Sequence, residues 1–234
     1  MSPDSILYTI AVWAIPGLLA ITLHEAAHGY VAYALGDSTA KNLGRISANP
    51  LRHIDPVNTI LVPIVMLVTL GFMFGAAKPV PVDPRNFRHP KIDMGLMAAA
   101  GPIANWLMAC LWAVVILIAV KVGLTNGISK FAYQMGQVGL FFNLLLATLN
   151  LLPIPPLDGS KILIGVLPFN LARLLVRYER VGIVLLFIVI AAEVYALEFS
   201  EKKEGFLFDA LLTLVKPFEQ IIESLFNIQG IIIT

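Results

Sequence analysis

The chain has 234 residues, 58% of them hydrophobic and 13% charged, with a formal net charge of +1 and a mean hydropathy of +0.84. Typical soluble domains carry about 25% charged residues, so this composition excludes a surface bathed in water and describes an integral membrane protein. The balanced charge, with Lys and Arg in short loop groups rather than along one face, excludes nucleic acid as a partner.

The length is read as one membrane-embedded domain over 1–234, with a core from about 5 to 168 and a C-terminal span and tail over 173–234. No Lys or Arg precedes Lys41, so the positive start of a cleavable signal peptide is missing and the first span is expected to be retained. The lone Cys110, within MACLWAVV, rules out an internal disulfide or a Cys-based zinc site and reads as a buried, inert thiol.

Crossing a bilayer as a helix takes about 20 apolar residues, and uncharged windows place about five to six hydrophobic segments. The first covers 5–35; the second, 56–77, is broken by Pro63, Gly71 and Gly75; the third covers 94–120 and the fourth 131–152. A short helix is expected at 161–167, a fifth segment at 181–197, and an interfacial helix or short sixth span at 206–227. The expected fold is thus an all-α polytopic membrane protein. Lys41, Arg45 and Arg52 precede the second segment, and Lys78, Arg85, Arg88 and Lys91 follow it. Basic loops stay on the cytoplasmic side, so both flanks belong there and the second segment is read as a re-entrant element. The following AKPVPVDP favours extended backbone, since each residue before a proline is pushed out of the helical region.

His24-Glu25-Ala26-Ala27-His28 follows an uncharged stretch running from Ser5 to Leu23. On a helix this pattern puts two imidazoles on one face, where both can bind one Zn²⁺ while the glutamate handles a proton. Ionisable groups within a span are expensive, so such a cluster marks a functional site. Zinc needs a third ligand and an open position for water. Asp158, in NLLPIPPLDG, is the sole acid between Asp93 and Glu179 and falls where the fourth segment returns to the cytoplasmic side. His24, His28 and Asp158 are the expected ligands of one zinc per chain. Glu25 is the expected base that activates the zinc-bound water. Gly159 is expected to supply backbone freedom after the proline run.

HEAAH within a span together with NLLPIPPLDG resembles the site-2 protease family of intramembrane zinc metalloproteases, whose second motif is N-x-x-P-x-P-x-L-D-G. AAAGPIANW is similar to the family's A-G-P-x-x-N stretch, and GRISANPLRHIDP and AKPVPVDPRNFR look like its compact prokaryotic branch, without the PDZ or CBS domains of other branches. The resemblance covers roughly residues 20 to 160. It implies ligands at His24, His28 and Asp158, a catalytic Glu25, and a substrate-binding Asn150 that holds an unwound client backbone, with the edge around Lys78 to Pro84 as a second candidate. Expected partners are membrane-protein or transmembrane-peptide substrates and the lipid bilayer. The expected location is the cell membrane, as a multi-pass protein with its active site toward the cytoplasm.

Other polar residues have plainer readings. Asn105 can hydrogen-bond across helices beside the small residues Ala98 to Gly101 and Ala104. His53 reads as a loop residue, as does His89. Glu193 is expected to reach the interface, and Arg173, Arg177 and Arg180 to anchor on lipid phosphates. Two other functions use the same residues. A divalent-metal transporter predicts paired repeats, of which the sequence has none. A catalytically silent client-binding relative predicts loss of a ligand or the glutamate, and all four are present.

Overall fold

The computed structural model describes residues 3–53, 55, 78–178, 181–182, 184–185, 188–189, 192–193 and 206–228. The expected second segment, 56–77, and much of the fifth, 181–197, lie outside the described residues. Helix α1 spans Pro3–Ala34, α2 Thr39–Asn42, α3 Pro90–Val122, α4 Gly127–Leu151, α5 Asp158–Val166, α6 Phe169–Arg177 and α7 Phe206–Phe226. Single 3-10 turns stand at Pro50–Arg52 and Pro84–Asn86. Among the described residues the secondary structure is entirely helical.

Within α1, Tyr8–Ala34, and the whole of α3 are long and apolar enough to cross a membrane. Only 33% of each apolar window is buried inside the protein, so these are not the core helices of a soluble fold. On α3, Ile92, Leu96, Ile103, Leu107, Leu111, Ile118 and Val122 recur at helical spacing, each more than half exposed. An apolar stripe running the length of a helix needs an apolar surround. The chain is therefore membrane-associated through these helices. The fourth expected segment forms α4, which carries Ser129, Lys130, Gln134, Gln137, Asn143 and Asn150 and is more polar than a lipid-facing span.

Helices α3 and α4 form a hairpin. Gly123 makes the turn at φ 90, and the Asn126 side chain caps α4 by accepting from Ser129 N at 2.7 Å. The two helices close tightly, for a Cβ at Gly139 would stand 2.4 Å from the Trp112 ring. Ala109, Ala113 and Ile116 of α3 and Leu140 and Leu144 of α4 form the main apolar cluster, which Val215 and Ile222 of α7 complete. Helix α7 thus presents one apolar face, Leu211, Val215 and Ile222, to the hairpin. Cys110 packs at the edge of this cluster, partly rather than fully buried.

Helix α1 ends in a turn where Gly36, at φ 115, lets Asp37 N donate to Ala32 O and Gly36 N to Tyr33 O. Asp37 is fully buried and accepts from Thr39 N at 3.0 Å, Asp83 N at 2.8 Å and Asn86 Nδ2 at 2.8 Å. Burial pushes this carboxyl up, but the Thr39, Asn86 and Asp83 hydrogen bonds outweigh it and hold it below the usual carboxylate range. These bonds latch the extended 78–83 strap to the end of α1, where Phe87, Ala32 and Met97 close a second apolar cluster.

The short helix expected at 161–167 begins earlier, at Asp158, and α6 is a helix that the uncharged windows did not reveal. Lys91 Nζ donates to Leu167 O, fastening the start of α3 to the end of α5. Gly159 differs from its expected role. It sits in the first turn of α5 without a positive φ, and a Cβ there would meet Leu151 O at 2.3 Å and Leu152 O at 2.4 Å. It is the lack of a side chain, rather than backbone freedom, that lets α5 start directly against the end of α4.

Candidate metal centre

His24 and His28 lie one helical turn apart on α1, with ring centroids 4.6 Å apart and planes at 89°. Their Nε2 atoms are 3.1 Å from each other, and each is 3.1 Å from Asp158 Oδ2. In a tetrahedral site with metal–ligand bonds of about 2.0–2.1 Å, neighbouring ligand atoms stand about 3.3 Å apart. The observed triangle is close to one face of such a tetrahedron. All three side chains are buried, at 7%, 7% and 5% exposure, and they form a group able to hold a metal ion.

The outer nitrogens decide the tautomers. His28 Nδ1 donates to Met97 O at 2.8 Å, and a backbone carbonyl can only accept. His24 Nδ1 donates to Asn105 Oδ1 at 2.5 Å; the Asn105 amide is oriented by its own donation to Ala20 O and to Asn143 Oδ1. With both Nδ1 atoms protonated, two lone pairs and a carboxylate oxygen converge on one point. Such a convergence of acceptors is stable only around a cation, and two nitrogens with one carboxylate suit zinc.

Asp158 stands at the first position of α5, where the helix dipole favours its charge. Its other oxygen, Oδ1, accepts from Lys161 Nζ at 3.2 Å. Gly101 of α3 lies against the imidazole pair: a Cβ there would be 2.5 Å from both His24 Cε1 and His28 Nε2. Glu25 stays outside the triangle and accepts from Val80 N at 2.8 Å, on the strap latched by Asp37. A cavity of about 370 Å³ is lined by His24, Glu25, His28, Val80, Asn150, Asp158 and Lys161 among others. All five residues singled out from the sequence therefore border one space.

Asn150 reaches that cavity while donating to Leu146 O at 3.1 Å, one turn back on α4. His53 is buried and pairs with Ser47 O at 2.8 Å, which is a loop role. Sequence reasoning left Asn105 as a residue that can hydrogen-bond across helices and Gly101 as one of several small packing residues, and it assigned no site role to Asn143 or Lys161. Two fully buried asparagines on apolar helices were the available signal, because an amide in such surroundings must have a partner.

Comparison with known proteins agrees with this geometry. Three similar proteins carry the name "Putative zinc metalloprotease". YwhC of Bacillus subtilis is 34% identical over 174 residues, 74% of this chain and 76% of that protein. Rip2 of Mycolicibacterium smegmatis is 30% identical over 155 residues, 64% of this chain and 53% of that protein. MJ0611 of Methanocaldococcus jannaschii is 41% identical over 97 residues, 40% of this chain and 47% of that protein. The matched region thus spans about half the length of the last two. No family model and no solved structure matches the chain. The extent of the likeness to YwhC, on a chain whose buried histidine–aspartate triangle fits zinc, makes this protein a zinc metalloprotease of the site-2 protease family.

Proposed function

We propose that this protein is an intramembrane endopeptidase that hydrolyses peptide bonds in or near the transmembrane segments of other membrane proteins. The observation that carries the reading is where the site lies: His24, Glu25 and His28 occupy the second half of an apolar helix long enough to cross a bilayer, and Asp158 meets the two histidines from the start of α5. His24, His28 and Asp158 would hold the zinc and leave a fourth position open. When bound, zinc supplies a Lewis acid that polarises a carbonyl and acidifies a water.

Glu25 accepts that water's proton and hands it to the leaving amine. The Val80 N–H fixes Oε2 of Glu25, leaving Oε1 for the exchange. A client helix keeps its peptide groups bonded internally, so it must unwind before any bond is cut, and its freed groups then need partners. Asn150 lines the cavity, and its bond to Leu146 O leaves one amide N–H and the carbonyl oxygen for a client backbone. Lys41, Arg45 and Arg52 follow α1, and basic loops of this kind support the reading of a multi-pass cell-membrane protein with this end toward the cytoplasm.

The test uses purified protein in lipid with a panel of single-span substrates. Chelation should stop cleavage. Glu25→Gln should keep its zinc yet lose about 10²–10⁴-fold in rate. A Glu25→Gln protein that cleaves at the unmodified rate would refute the mechanism.

A further inference from the structure

We propose that Lys161 is a further catalytic residue of this site, its ammonium neutralising the negative charge that develops on the substrate carbonyl oxygen. The proposal rests on the protease reading above. Lys161 stands one turn after Asp158 on α5, and its Nζ lies 3.2 Å from Asp158 Oδ1. The two oxygens of that carboxylate are therefore divided, Oδ2 turned to the histidine pair and Oδ1 held by the ammonium. The lysine side chain is 38% exposed where Asp158 is 7%, and it borders the same cavity as Glu25.

The chemistry gives such a group a role beside the metal. Water oxygen adds to the peptide carbon, the carbonyl π pair moves onto oxygen, and Glu25 takes the proton. The C–N bond then breaks with its electron pair going to nitrogen, which takes the proton back from Glu25. Between those events the former carbonyl oxygen carries a negative charge, and an oriented donor at that oxygen is worth most where water is scarce. The cavity's neutral donors have other roles. Val80 N–H is held by Glu25, and the Asn150 amide, which donates one N–H to Leu146 O, has its second assigned to the client backbone. An ammonium has three N–H groups, of which Asp158 takes one. Lys161 is also the sole Lys or Arg among the described residues lining this cavity. Its part is to donate a hydrogen bond, and it transfers nothing. Asp158 pairs with the ammonium through Oδ1 and with the histidines through Oδ2, so one carboxylate would serve both the lysine and a bound metal.

Lys161→Met and Lys161→Arg test the role, with zinc stoichiometry, kcat, KM and the affinity of a peptidyl phosphonamidate as readouts. The phosphonamidate carries a tetrahedral anionic centre and reports stabilisation of that shape without turnover. Lys161→Met should keep one zinc, lose roughly 10²–10³-fold in kcat, change KM by less than about threefold, and weaken phosphonamidate binding by a factor similar to the loss in kcat. Lys161→Arg, which keeps the charge, should recover part of both. Unchanged kcat in Lys161→Met overturns the proposal. So does zinc loss that persists at saturating zinc, because Lys161 would then act only by holding Asp158. Unmodified protein that retains zinc but cleaves no substrate in the panel refutes the protease reading itself, a result distinct from failure at Lys161.

Discussion

Asn105→Ala removes three hydrogen bonds from the interior and leaves the proposed zinc ligands themselves untouched. Asn105 is fully buried; its Oδ1 holds His24 Nδ1 at 2.5 Å, and its Nδ2 reaches Asn143 Oδ1 at 2.8 Å and Ala20 O at 3.2 Å. Without that acceptor the His24 ring is free to turn or to move its proton to Nε2, the nitrogen that faces the metal position. Partners of this kind are worth about 10–100-fold in metal affinity, equivalent to about 1.4–2.8 kcal/mol. Each buried polar group left unpaired costs a further 1–3 kcal/mol or so of stability. The expected result is a zinc Kd raised about 10–100-fold, measured by competition with a chromophoric chelator on protein whose helicity is checked by circular dichroism. Asn143→Ala, which leaves the bond to His24 in place, should weaken zinc by less than Asn105→Ala. An Asn105→Ala protein with unchanged zinc affinity, or one less affected than Asn143→Ala, would refute the reasoning.

Gly101→Ala places a methyl group 2.5 Å from both imidazoles. Carbon atoms at rest stand about 3.5–4.0 Å apart, so the rings must shift by about 1 Å. Zinc content measured by elemental analysis should fall well below one per chain while helicity is retained; full occupancy would mean that α3 can recede at no cost. Asp37 gives a pH prediction. Its folded carboxyl titrates below the unfolded value of about 3.9, so its contribution is fully present above that pH and lost as pH falls through the lower folded value. Hydrogen exchange at the Asp83 amide, which Asp37 Oδ2 accepts, should accelerate in acid beyond its intrinsic pH dependence. Asp37→Asn should flatten that excess, and an identical acid response in both proteins would rule the latch out.

The pattern that makes the site recognisable is local. HEAAH puts two imidazoles on one helical face because 3.6 residues per turn brings the fourth residue back over the first. That required no knowledge of what the helix packs against. The uncharged windows were legible for the same reason, and they match α1, α3 and α4 to within a few residues. The PIPPLDG run announced a break, and the break is there between α4 and α5. Its glycine was misread because a sequence does not reveal whether a missing Cβ serves torsion or contact. Only the approach of the α4 carbonyls to Gly159 distinguishes them.

What the sequence left open belongs to crossings between helices. Asn105 sits 81 positions from His24, and nothing in GPIANW says which residue of α1 it meets. Its bond to His24, and the contact of Gly101 with both rings, follow from how α3 lies across α1. Lys161 was hidden differently: it stands beside Asp158 by its spacing on α5, but its place over the cavity emerges once α5 is packed against α3. The Glu25–Val80 bond depends in turn on Asp37 and Asp83, which pin the strap from 46 positions apart. Residue types and helical spacing thus determined the chemistry this protein can perform, because ligand identity and face are written within one or two turns. Which groups orient the histidines, and which cavity Lys161 borders, was decided by helix packing, because the elements that meet there are distant in sequence and come together only in the folded chain.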